Sequence, residues 1–287
     1  ALVPLAQGWR GDARLAVAAI RALAQIGGAE AAAPLRALGA ARDTDPNVRL
    51  EVVAALGALK DQASLNLVLD AVTDAWPAMR AAGLRALKDI DLDTFVIVLS
   101  GLDADPHPSV RTAIVSLLPA LGTERATPRL AAMMDGRDAA VAAAAVEAMA
   151  GLPVKPKEYA ATLQRLLAGG DVMVRAAAAS ALGDLKPAGG DQALAAAYRA
   201  GAADELYQAR AAALAALAKY GPGAAQATLN EALGDREWAV RLRAAALLRA
   251  FDPAADLSGR IRPAPGRAVE AYASPSLVAP QVSPHVF

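Results

Sequence analysis

Apolar residues in the first 252 positions recur at helical spacing, in copies of one short unit. The copies read VRLEVVAALGAL from Val48, MRAAGLRALKDI from Met79, VRTAIVSLLPAL from Val110, VAAAAVEAMAGL from Val141, VRAAAASALGDL from Val174, ARAAALAALAKY from Ala209 and VRLRAAALLRAF from Val240. Their second positions are Arg49, Arg80, Arg111, Ala142, Arg175, Arg210 and Arg241, spaced by 31, 31, 31, 33, 35 and 31 residues, and an eighth copy is anchored at Ala13. Apolar side chains fall one residue before this anchor and about three, seven and ten after it, as in Val110, Ile114, Leu118 and Leu121. That spacing is a single stripe along an α-helix.

A second helical segment precedes each copy, as in AAAPLRALGAA from Ala31, ATPRLAAMM from Ala126, YAATLQRLLAG from Tyr159 and AAQATLNEALG from Ala224. Pro4, Pro34 and Pro128 are expected in the first turns of such helices, where the missing N–H leaves nothing unpaired. Pro119 falls inside the second helix of its repeat and predicts a kink or an early end. Between helices stand DTDPN at 43–47, DADPHP at 103–108 and GPG at 221–223, which read as turns. Each unit is therefore a helix hairpin. A hairpin of two short alanine-rich helices cannot bury its own stripe, so neighbours must stack into a continuous core. The predicted fold is all-α: an α-solenoid of about eight hairpins over residues 1–252, followed by a proline-rich tail.

Composition narrows the function classes. The 287 residues carry 29 basic and 29 acidic side chains, so no net field favours a polyanion, and nucleic acid is not the expected partner. With no cysteine, disulfides, thiolate catalysis and cysteine-held metal are excluded, while the compartment stays open. Hydrophobic content is 55%, but much of it is alanine and aromatics are only 4%. The most apolar stretch, Ala139 to Val154, contains Glu147 and Pro153 and falls short of the roughly 20 residues a membrane span needs. No membrane span is expected. The start, ALVPLAQGW, has no initiator methionine and no signal-peptide pattern, and reads as cut from a longer chain. His107 and His285 have no companions at ligand spacing. No phosphate-binding glycine motif occurs either. No cofactor or metal is expected, and no catalytic residue can be named.

The unit D-x-x-V-R-x-x-A-x-x-A-L-G, seen in Asp171–Gly183 and, with Val52 at the first alanine, in Asp45–Gly57, resembles the short HEAT-like repeat of phycobilisome lyases. The resemblance covers residues 1 to about 252. It departs where Ala13 and Ala142 replace the arginine and where Pro119 enters a helix. It implies a non-catalytic scaffold that holds a protein or peptide client. A bilin lyase or lyase subunit is the alternative from the enzyme class, and a DNA-binding HEAT-like protein is a third. It also implies that the second helices line the inner face. Five residues past each anchor, that face carries Ala54, Arg85, Ser116, Glu147, Ser180, Ala215 and Ala246. Arg85, Ser116, Glu147 and Ser180 are its candidate partner contacts.

Six anchor arginines in register admit two readings. They form either a ladder for an anionic ligand or a set of ion pairs between repeats. A cation at a helix start opposes the helix dipole, and most of these arginines follow an aspartate by four to six residues: Asp45, Asp105, Asp171 and Asp235. Aspartates that cap one helix while pairing with an arginine of the same or the next repeat would account for both residue types. Arg49, Arg80, Arg111, Arg175, Arg210 and Arg241 are accordingly assigned a structural role. Trp9, Trp76 and Trp238 stand three or four residues before their anchors, on turns. Each either seals its turn or grips a partner.

Residues 253–283 are a proline-rich linker or capping tail, in which Leu257, Ile261, Val269 and Tyr272 are able to cover the last repeat. The final residues, Pro284-His285-Val286-Phe287, are similar to the Pro-x-Val-Phe that opens cyclophilin-type peptidyl-prolyl isomerases. That resemblance implies a following isomerase domain in a larger bacterial protein, with none of its catalytic residues in this chain.

Overall fold

In the computed structural model, which describes residues 1–101, 105–154 and 156–262, the chain folds as successive pairs of helices, with no strand among the described residues. The pairs are α1 (Leu2–Gln7) with α2 (Ala13–Ile26), α3 (Ala29–Ala40) with α4 (Pro46–Ala58), α5 (Leu65–Val72) with α6 (Pro77–Ile90), and α7 (Leu92–Gly101) with α8 (Pro108–Leu117). Then come α9 (Thr123–Met134) and α10 (Ala139–Ala150), followed by the pairs α11 (Pro156–Leu167) with α12 (Val172–Leu185), α13 (Gly190–Ala200) with α14 (Gln208–Ala218), and α15 (Pro222–Ala232) with α16 (Trp238–Phe251). Two compact units result, Ala1–Met133 and a second beginning at Met134. Within the first, α2, α4, α6 and α8 pack each on the next; within the second, α10, α12, α14 and α16 do the same. Each unit is a length of α-solenoid.

Local chemistry sets the helix starts. Asp12, Asp45, Asp138 and Asp171 cap α2, α4, α10 and α12, each accepting from two backbone N–H groups of the first turn. Such caps contribute about 1 kcal/mol apiece. Pro46, Pro77, Pro108 and Pro222 open their helices, where proline has no bond to lose. Pro119 ends α8, and the chain tightens into a 3-10 turn over Leu118–Leu121, as its sequence position predicts. Pro34 and Pro128 differ from expectation, because each is the sixth residue of its helix and not in the first turn. The reason is glycine. Gly28 and Gly122, at φ 100° and 80°, turn the chain sharply and let α3 and α9 begin five residues ahead of the proline.

The stripes read from the sequence face inward. In the first unit Ile20, Leu35, Val48, Val52 and Leu56 form one buried cluster. In the second, Val146, Leu163, Leu182, Leu214, Leu217, Leu229 and Val240 are buried. Each such side chain contributes roughly 1.5–3 kcal/mol by leaving water. Alanine and glycine bring successive second helices unusually close. A Cβ on Gly57 would lie 2.6 Å from Ala86 Cα, and one on Gly183 would lie 2.8 Å from Ala216 Cα.

After Phe251 the chain turns back on the last pair. Leu257 is buried, the Arg262 backbone N–H donates to Leu233 O at 2.9 Å, and Arg260 reaches Asn230 at 2.6 Å. Val269, Tyr272, His285 and the Pro284–Phe287 ending lie outside the described residues. No helix among the described residues is long and apolar enough to cross a membrane.

Candidate functional site

The anchor arginines sit at the starts of the second helices and use the two sides of the guanidinium differently. Arg80 NH1 donates to the carbonyls of Asp74 and Ala75, both at 3.0 Å, which ties down the turn leading into its own helix. Its Nε and NH2 then reach forward to Asp105, at 2.7 and 2.9 Å. Arg210 repeats this arrangement, with NH1 on Gly201 O and Asp204 O and the opposite edge on Asp235. Arg49 pairs with Asp74 and Arg175 with Asp204, each at 2.8 Å. Arg111 NH1 holds the carbonyls of Asp105 and Pro106. Arg241 NH1 holds those of Asp235 and Arg236.

The acidic residues divide two tasks between two positions. Those four residues before an anchor, Asp45 and Asp171, cap helices through backbone N–H groups. Those six before an anchor, Asp74, Asp105, Asp204 and Asp235, receive the arginine of the preceding repeat. Asp74 and Asp204 were not singled out in the sequence. For Asp74 the signal was there, in the offset of 25 residues that Arg49 to Asp74 shares with Arg80 to Asp105 and Arg210 to Asp235, whereas Asp204 lies 29 residues after Arg175 and shares only the position six before an anchor. Asp43 occupies the equivalent place in the second repeat and pairs with Arg10. Burial grades the rungs. The Arg49 and Asp74 side chains are 34% and 23% exposed, those of Arg210 and Asp235 only 1% and 6%. The Arg80 fork holds the Asp105 carboxyl below its ordinary range, and the reciprocal bond raises Arg80.

The buried end of the ladder also holds a phenol. Tyr198 Oη donates to Asp235 Oδ2 at 3.2 Å. Burial, and then the Asp235 charge, push the Tyr198 hydroxyl up; burial alone does so for Tyr159, which donates to Met134 Sδ. A phenol whose value is raised by folding adds stability that is complete below the unfolded value, about 10, and is lost as pH rises beyond it. Urea midpoints are therefore expected to hold to about pH 10 and then fall. Tyr198→Phe should flatten the fall, and an unchanged slope would contradict this assignment.

The outward row of the second helices is open. Ala54, Arg85 and Ser116 are exposed in the first unit, and Glu147, Ser180 and Ala246 in the second, while Ala215 is half-buried. On the same face, α2 and the start of α4 enclose a cavity of about 610 Å³ lined by Ala13, Arg14, Val17, Ala18, Arg21, Ala22, Gln25, Asp45 and Asn47. Arg21 is committed to Glu51 at 2.8 Å, whereas the Arg14 side chain makes no bond among the described residues. Its alanine floor was not legible in advance, because it forms only when α2 and α4 are side by side. The tryptophans diverge. Trp9 packs on the core with the Arg10 guanidinium 4.7 Å above its ring, whereas Trp76 and Trp238 are 37% and 55% exposed at the starts of α6 and α16. His107 caps α8 through Nδ1. No group of three or more potential metal ligands occurs among the described residues.

Residues 1–88 match the family model for HEAT repeats. No curated protein matches the chain. Among solved structures, human deoxyhypusine hydroxylase in complex with glycerol is similar at 20% identity and a TM-score of 0.37, over 84% of this chain and 91% of that one. The CpcE–CpcF complex of phycocyanin lyase from a Nostoc species is similar at 20% identity and a TM-score of 0.40, over 84% and 90%.

Proposed function

We propose that the chain is a non-catalytic scaffold that binds an extended protein segment along the exposed face of its second helices. The observation that carries this reading is the cavity between α2 and α4, open, floored by alanine and flanked by Arg14, whose side chain has no partner among the described residues. Small side chains let a peptide backbone come close, and a lone exposed guanidinium selects an acidic residue within it. The mixed row of Arg85, Ser116, Glu147 and Ser180 extends the same kind of surface within each unit. Such a surface reads shape and a few charges and performs no chemistry on what it holds.

The test is a peptide-display selection on the purified full chain, followed by Ala18→Trp, which fills the cavity from an exposed helix position, and Arg14→Glu. Selected peptides should carry an acidic residue. Each substitution should weaken binding by about tenfold or more while leaving the melting temperature unchanged. Failure to select any peptide, or binding indifferent to both substitutions, would remove this site. A coloured adduct formed on incubation with a bilin and an acceptor subunit would replace the scaffold reading with a lyase.

A further inference from the structure

The second helices of the first unit keep two positive charges without a counter-ion. Arg49, Arg80 and Arg111 are engaged in the ladder, Arg21 is held by Glu51 at 2.8 Å, and Lys88 is held by Asp89. Glu51 and Asp89 are the only acidic residues of α2, α4, α6 and α8, so both are taken. Arg14 and Arg85 remain. Both are exposed, and neither side chain makes a bond among the described residues. What lies along this face must therefore bring negative charge to two separate places.

Their placement sets a spacing. α2 packs on α4 and α4 on α6, so two helix layers of about 8–10 Å each separate Arg14 from Arg85. Arg14 is the second residue of α2 and Arg85 the ninth of α6, an offset that adds about 10 Å along the helix direction. The oblique path between them is then roughly 19–22 Å. An extended chain rises about 3.3 Å per residue, so it covers that path in about six residues. Alternation of its side chains selects the even number, since one residue fewer or more would turn one of the two away. Midway the path crosses α4 near Glu51, where Arg21 already cancels the negative charge.

We propose that the segment bound by the first unit carries two acidic residues about six positions apart, one paired with Arg14 and the other with Arg85. This rests on the scaffold reading and sharpens it: Arg85 becomes a specificity-determining contact, and the partner is recognised by the separation of two carboxylates instead of by net charge. The intervening residues that face α4 need carry no charge.

The test runs the same random-peptide library against the full chain and against its Arg85→Glu variant, a change at an exposed position that should leave the melting temperature unchanged. On the parent, enriched peptides should carry Asp or Glu at i and i+6. On Arg85→Glu one acid should persist and the other should give way to Lys or Arg. In a synthetic peptide from the parent pool, replacing the acid that faces Arg85 by its amide should weaken binding about threefold to tenfold, with no further loss in Arg85→Gln. Enriched peptides with a single acid, sensitive to Arg14→Glu and indifferent to Arg85→Glu, overturn the spacing and leave the scaffold reading in place. Failure to enrich any peptide overturns both. A dT oligonucleotide that binds more tightly than the peptides and is lost in Arg85→Glu would assign the two guanidiniums to phosphates and overturn the peptide motif.

Discussion

Replacing Arg210 by methionine is expected to destabilise the second unit by about 3–5 kcal/mol, a large share of the stability of a domain this size. The guanidinium is the most enclosed charge of the ladder, at 1% exposure, and it satisfies four acceptors: both Asp235 oxygens, Gly201 O and Asp204 O. Methionine fills most of the volume but leaves the Asp235 carboxylate buried, with only the Tyr198 hydroxyl and the Glu237 N–H beside it. Adding Asp235→Asn should recover much of the loss, since the N-terminal turn keeps its acceptor while the buried charge is gone. Arg49→Met should cost about 1 kcal/mol or less, because both partners of that rung are partly in water. Urea unfolding of the three variants checks the order. An Arg210→Met chain that melts like the parent while losing an anionic ligand would make the ladder a binding site.

The repeat itself was legible because helical periodicity and hairpin punctuation are local properties. Val110, Ile114, Leu118 and Leu121, chosen by spacing alone, are all buried. Pairing between repeats was harder to read. Asp43 and Asp45 flank a single threonine, and only the stacked structure separates the carboxylate that caps its own helix from the one that faces the arginine behind it. Pro34 and Pro128 lie deeper in their helices than the sequence predicts for a related reason, since a glycine at positive φ moves a helix start without disturbing the apolar stripe. Least legible was the exposed face. Alanine at Ala18 or Ala54 carries the same composition whether it floors a groove or only permits close packing, and the difference lies in the neighbouring helix.

Close packing gives the second large effect. Gly183→Ala is expected to destabilise the second unit by about 1–3 kcal/mol, and Gly183→Val by more, although alanine is the better helix former by about 1 kcal/mol. The added Cβ would meet Ala216 at 2.8 Å from both Cα and Cβ and at 3.1 Å from its carbonyl oxygen. These are mainly backbone atoms of α14, so relief requires moving a whole helix that is also held at its start by buried Arg210. The glycine of the A-L-G signature is thus explained by the approach of the next repeat and not by any need for flexibility. Gly223 is the contrast. It lies exposed in the first turn of α15 with nothing within 4 Å of an added Cβ, so Gly223→Ala should be neutral or stabilising by up to about 1 kcal/mol. Thermal and urea unfolding of the two alanine variants measure the difference directly. If Gly183→Ala stabilises as much as Gly223→Ala, the helices are not in the close contact that defines this stack.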